Sequence, residues 1–197
     1  MPPREGFDFC AAVRGLCEDI VLRLDEFRHV RMDEVAVAFA QARRPVMHGL
    51  QARLTPLRFE NGRLTTVRSG RRFTVQRLFD GEREMLYILT FYLPRFLDQS
   101  FREKLITVVH EMYHISPNFD GDIRRFGGRC HAHSHSQTEY DRRMGILADR
   151  YLALSPPHEL YAFLRKGFRA LETEHGRIVG VRIHTPKLVP IPDTKSA

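Results

Sequence analysis

The chain has 197 residues, 43% of them hydrophobic and 28% charged, a balance that excludes a disordered or fibrous protein and suffices for one sizeable core. No apolar run approaches the roughly 18 residues of a membrane span, and the first twenty residues break their apolar stretches with arginine and carboxylates, unlike a secretory leader. The formal charge of +7 allows nucleic acid or another polyanion as a partner, but the arginines are spread along the chain and mark no single stripe.

These features predict a cytoplasmic protein with no membrane partner, and one domain over 1–184 followed by an extended tail over 185–197. Oligomeric state is not legible. Three cysteines, Cys10, Cys17 and Cys130, cannot all pair, which fits reduced thiols.

In chain order, Phe9, Val13, Leu16, Ile20, Leu24 and Phe27 recur every three or four residues and predict an amphipathic helix from Phe7 to Phe27. Cys10 and Cys17 fall on nearly the same face and read as small buried hydrophobes. Val35, Val37 and Phe39 then alternate with alanines, the pattern of a strand buried on both faces. Leu50 to Phe59 and Arg63 to Val67 read as strands joined in a hairpin by Asn61-Gly62, with Pro56 assigning the first of them to a sheet edge. Ser69-Gly70 and Asp80-Gly81 mark further turns, before Arg72 to Phe79 and before Met85 to Leu93. The expected fold class is α+β: an N-terminal helix, a mostly antiparallel sheet built from hairpins, then helices.

Ser100 and Glu103 stand in capping-box spacing ahead of a helix with Phe101, Leu105, Val108, Val109, Met112 and Ile115 on its buried side. Pro117 ends it. A loop rich in glycine, arginine and histidine follows, and Ser136 with Glu139 predicts the cap of another helix reaching about Leu154. Ser155-Pro156-Pro157 opens one more, from Leu160 to Leu171, stopped by Gly176. Arg177 to Ile183 reads as a short strand.

His110-Glu111-Met112-Tyr113-His114 is an HExxH sequence on a predicted helix. Four residues advance about 6 Å and turn about 40° past a full circle, so both imidazoles can reach one metal ion. Glu111 stands roughly 100° away, where it can hold and deprotonate water rather than ligate. Two surface histidines around a solvated glutamate would give the same letters, with about 0.03 matches expected by chance.

A catalytic Zn2+ takes three protein ligands and leaves one position open. Cys130, His131, His133 and His135 are all available downstream. In an extended segment the three histidines share a side. His135 is preferred, because it directly precedes the predicted cap; His133 and then His131 follow. Cys130 as a further ligand would make a closed structural site instead. Asp120-Gly121-Asp122 lacks the spacing of a calcium loop and reads as a solvated turn, with Arg124, Arg125 and Arg129 nearby to pair with it or attract anions.

HEMYH after a run of strands and an N-terminal helix resembles the zincin metallopeptidases, and within them the compact SprT-like and phage metallopeptidase groups. The resemblance covers roughly Val35 to Leu154. In those families a third histidine lies beyond the active-site helix, just before a helix with an aromatic residue in its first turn, and His135 to Tyr140 is similar to that arrangement. The chain lacks the longer metzincin motif, a gluzincin ligand helix and a C-terminal zinc ribbon. The resemblance implies a zinc-dependent peptidase acting on peptide or protein, with Glu111 as general base. Tyr140, Tyr113, His133 and Arg129 are the possible oxyanion donors. It also implies an extended substrate added to a sheet edge. The competing reading is a basic nucleic-acid- or protein-binding module with a structural or vestigial metal site.

Overall fold

The computed structural model describes residues 6–42, 49–125 and 137–192. They form a mixed α+β fold. A two-residue strand β1 (Phe7–Asp8) leads directly into α1 (Phe9–Arg23), whose N-cap Asp8 accepts a hydrogen bond from the Ala11 N–H at 2.9 Å. Phe9, Val13, Leu16, Cys17, Ile20 and Leu24 are buried, as their spacing predicts, and Cys10 and Cys17 are free thiols inside the core. Burial pushes the Cys17 thiol up to about 12, so it is inert at neutral pH.

The core sheet is β2–β8–β3, with β8 (Tyr87–Leu93) in the centre, β2 (Val35–Gln41) parallel to it and β3 (Ala52–Pro56) antiparallel on the other side. Tyr87, Leu89, Phe91 and Leu93 face the helices. Ile88 faces away and packs with Ala36, Ala38, Leu57 and Met85. The alternation in β2 is thus buried on both faces, as expected. Pro56 does lie on an edge strand, where its missing N–H disturbs no ladder.

Several sequence expectations are corrected here. Asn61 and Gly62 take positive φ values of 57° and 73°, and the local turn closes through Gly62 N–H to Phe59 O at 2.9 Å. The flanking strands nevertheless part. β3 joins β8, whereas β4 (Thr65–Arg68) pairs with β5 (Arg71–Val75) across Ser69-Gly70. The physical reason is burial: Ala52 and Leu54 enter the core beside β8, while no residue of β4 is buried. The sheet is therefore not one antiparallel meander. Arg72 to Phe79 and Met85 to Leu93 each split, and β6 (Leu78–Asp80) with β7 (Arg83–Met85) form a separate hairpin.

Glu84 fastens that hairpin. Arg77 Nε lies 2.6 Å and Arg58 Nη2 2.7 Å from its Oε1, and the hydrogen bonds from Arg77 and then Arg58 hold the carboxyl at about 2 against partial burial. A depressed carboxyl contributes stability above its unfolded pKa of about 4.3, and that contribution is lost as pH falls toward 2. Thermal melts should show Tm declining through this window, and Glu84→Gln should lower Tm at pH 7 while flattening the acid decline.

The long α2 (Phe101–Tyr113) begins at the predicted capping box, with Ser100 Oγ accepting from the Glu103 N–H and Glu103 accepting from the Ser100 N–H. It ends at Tyr113, with His114 as its cap, four residues before Pro117. α3 (Gln137–Ala153) packs on it through Tyr140, Met144, Leu147, Ala148 and Tyr151, spaced as one helical stripe. Tyr151 donates to the buried Asp19 of α1 at 2.7 Å, which fixes α3 along its length. Ser136, the predicted cap, lies outside the described residues.

The helix expected from Leu160 to Leu171 is broken into α4 (His158–Tyr161), a 3-10 turn over Ala162–Arg165, and α5 (Phe168–His175) started by Gly167 and stopped by Gly176 at φ 83°. β9 (Ile178–Val179) pairs with β1. The expected tail is extended but not loose: β10 (Leu188–Pro190) adds to β5 as a third strand. Among the described residues no helix is long and apolar enough to cross a membrane.

Candidate metal centre

His110 lies in the last turn of α2 and His114 is its C-cap. Their Nε2 atoms are 3.0 Å apart. Two nitrogens bound tetrahedrally to one zinc at about 2.0–2.1 Å would stand roughly 3.3 Å apart, so the pair fits a shared ion with only a small opening. Among the described residues no group of three or more His, Cys, Asp or Glu side chains forms a metal cluster. Cys130, His131, His133 and His135 lie outside those residues, as does Arg129.

Glu111 points from α2 to the edge strand, where its Oε2 accepts the Leu54 backbone N–H at 2.7 Å. Burial pushes its carboxyl up to about 7, partly opposed by that hydrogen bond and by the Arg53 charge. The orientation of the N–H follows from register. Tyr92 N–H bonds to Gln51 O and Leu57 N–H to Leu86 O, so the odd-numbered residues of β3 bond to β8, and the main-chain groups of Ala52, Leu54 and Pro56 face outward. No sequence signal announces this contact, because Leu54 and Glu111 are 57 positions apart.

Tyr140, from the first turns of α3, covers both imidazoles, with its ring centroid 5.0 Å from His110 and 5.9 Å from His114, nearly parallel to the latter. It is only 2% exposed. Burial first, and the Glu111 charge second, push its phenol above the ordinary tyrosine value, so it keeps its proton. Tyr113 lies behind, edge-on to Phe27 and 6.0 Å from Tyr140. Its ring packs between Phe27, Tyr140 and the Arg124 guanidinium.

Arg124 serves the end of the helix. Its backbone N–H donates to His114 O at 2.6 Å, its Nε to Tyr113 O at 2.7 Å, and its guanidinium lies 4.1 Å over the Tyr113 ring. It thus satisfies C-terminal carbonyls that an α-helix leaves open. Asp120-Gly121-Asp122 is not a solvated turn. Asp122 is buried, accepts from Asn61 N–H, Ile123 N–H and Arg125, and its carbonyl receives the Tyr87 hydroxyl at 2.9 Å. This loop ties the helix exit to β8. Both carboxylates are engaged structurally: Asp120 Oδ1 accepts the Asp122 N–H at 3.1 Å, and Arg125 pairs with Asp122.

Compared with known proteins, the chain matches no family model, no curated protein sequence and no solved structure.

Proposed function

We propose that the chain is a zinc-dependent metallopeptidase of the zincin type, with Glu111 as its general base. The single observation carrying this reading is the convergence of His110 and His114 on one point while Glu111 is held against an outward-facing strand edge. His110 and His114 would hold the metal, with His135 as the preferred third ligand and His133 and His131 behind it. Zinc bound there would supply Lewis acidity, making water acidic near neutral pH and polarising a carbonyl.

The chain's own groups account for the rest. Glu111 takes a proton from the attacking water and returns it to the departing amine, the work of a positioned general base. Leu54 N–H holds one carboxylate oxygen, so the other is free to act. Tyr140, kept protonated beside the imidazoles, is the donor positioned to meet developing negative charge. The outward edge of β3 pairs with no strand among the described residues, and an extended peptide adding there would bring its backbone alongside Glu111. Cytoplasmic location remains part of the proposal.

Metal analysis tests the centre. Purified protein should carry one zinc per chain, and His110→Ala and His114→Ala should each lose it. Comparison of His135→Ala, His133→Ala and His131→Ala should show one of the three behaving the same way. Wild-type protein that stays metal-free after zinc loading and dialysis would refute the centre outright.

A further inference from the structure

We propose that the β4–β5 ribbon is a binding surface for double-stranded DNA, its arginines reaching phosphates from both faces of the sheet. This inference does not depend on the metal centre. Between Glu60 and Asp80 the chain has five arginines and no carboxylate; Arg68, Arg71 and Arg72 lie in the small sheet β10–β5–β4, with Arg63 and Arg77 just outside its strands. Arg77 is engaged by Glu84. Arg63, Arg68, Arg71 and Arg72 are exposed, and no hydrogen bond or ion pair engages their side chains among the described residues.

The register sharpens the point. Arg68 is directly opposite Arg71, on either side of the Ser69-Gly70 turn. Like charges facing each other across strands weaken pairing, and here no acidic neighbour relieves them. Arg72 is opposite Val67 on the other face, where Lys187, just before the adjoining strand, also lies, since the Gln76 N–H donates to its carbonyl and continues the register. Cations therefore occupy both faces. The sheet has no buried residue at all, and Val67, Leu64, Leu188 and Val189 are exposed, so its surfaces are not spent on the protein's own core.

A flat anionic membrane would engage one face and leave the other idle. A groove with phosphate walls on two sides engages both. Entering by its β4 edge, with β10 on the far side of β5, a sheet about 10 Å thick with its side chains matches the roughly 12 Å major groove of B-form DNA, which admits a two-stranded β-ribbon, and not the narrow major groove of duplex RNA. Arginine is the residue whose planar fork suits phosphate oxygens.

The test is fluorescence anisotropy of the full chain with a labelled 20-bp DNA duplex between about 50 and 200 mM salt. The triple substitution Arg68→Gln, Arg71→Gln, Arg72→Gln should weaken binding at least tenfold at 100 mM salt and lower the salt slope by about two to three, close to one per phosphate contact. The corresponding triple lysine variant should keep the wild-type slope, which separates lost charge from a damaged ribbon. A remote triple with the same charge change, Arg28→Gln, Arg142→Gln, Arg169→Gln, should move the slope by less than one. The proposal is overturned if both glutamine triples lose affinity equally, if wild-type protein does not bind the duplex at 50 mM salt, or if single strands, duplex RNA or phosphatidylserine vesicles are bound more tightly.

Discussion

Glu111→Gln is expected to keep zinc at one per chain while lowering peptide cleavage by about 10²–10⁴-fold, the range for removing a positioned general base. The amide preserves size and can still accept the Leu54 N–H, but it cannot take up a proton. Zinc content and turnover of a quenched peptide library, measured on the same preparation, check this. Equal loss of both would mean that Glu111 is a ligand, and undiminished cleavage would remove it from the mechanism.

Stability gives an independent control on that variant. In the metal-free protein the Glu111 carboxyl sits at about 7, above its unfolded value of about 4.3, so stability is lost as pH rises from about 4.3 to 7 and the loss levels off above 7. Metal-free Glu111→Gln should therefore melt no lower than metal-free wild type at pH 8, and the two should converge near pH 4. Lost cleavage in this variant then has no origin in unfolding. A divalent cation close by would favour the charged carboxylate and reverse that preference.

The second large effect is on the core. Phe9→Ala should cost about 3–5 kcal/mol and lower Tm by on the order of 10 °C in a chain of this size. Phe9 is fully buried, and its ring meets Phe39, Phe91, Phe96 and Phe163 edge-on at centroid distances of 5.6 to 6.4 Å. Truncation removes one ring from five and leaves a cavity among stiff aromatic walls that cannot close over it. Leu22, on the same helix but 77% exposed, is the control: Leu22→Ala should stay within about 0.5 kcal/mol. Urea titration should show the midpoint moving for Phe9→Ala with little change in slope. A loss under 1 kcal/mol would mean that the site collapses freely and that the aromatic cluster is not the anchor of α1.

What the sequence reveals about this fold is local. The Ser100–Glu103 box, the stripe of α1 and the four-residue spacing of His110 and His114 each depend on neighbours within two turns, and each appears as read. Asn61-Gly62 shows where locality ends. The backbone there does adopt the left-handed geometry those residues favour, yet which strands pair is decided by burial against β8, some thirty residues later. The same applies to β10, whose sequence looks like a proline-broken tail until β5 supplies a partner. Of the candidate centre, the histidine pair and Glu111 are visible in five letters. The tether from Leu54 and the Arg124 clasp on the helix end arise only from tertiary contacts, and the candidates for a third ligand, His131, His133 and His135, fall outside the described residues.

The parallel partnership between β2 and β8 bears on how the chain comes into being. Val35 meets Tyr87 across 52 positions, so at a ribosomal pace of about 5–20 residues per second the first strand waits several seconds for its neighbour to be made. During that interval an apolar segment destined for burial on both faces stands unsheltered, and distant pairings are slow to close in any case. Misassociation of nascent chains through Val35–Gln41 is therefore the characteristic hazard in producing this protein, and slower growth at low temperature or a holding chaperone is the matching remedy.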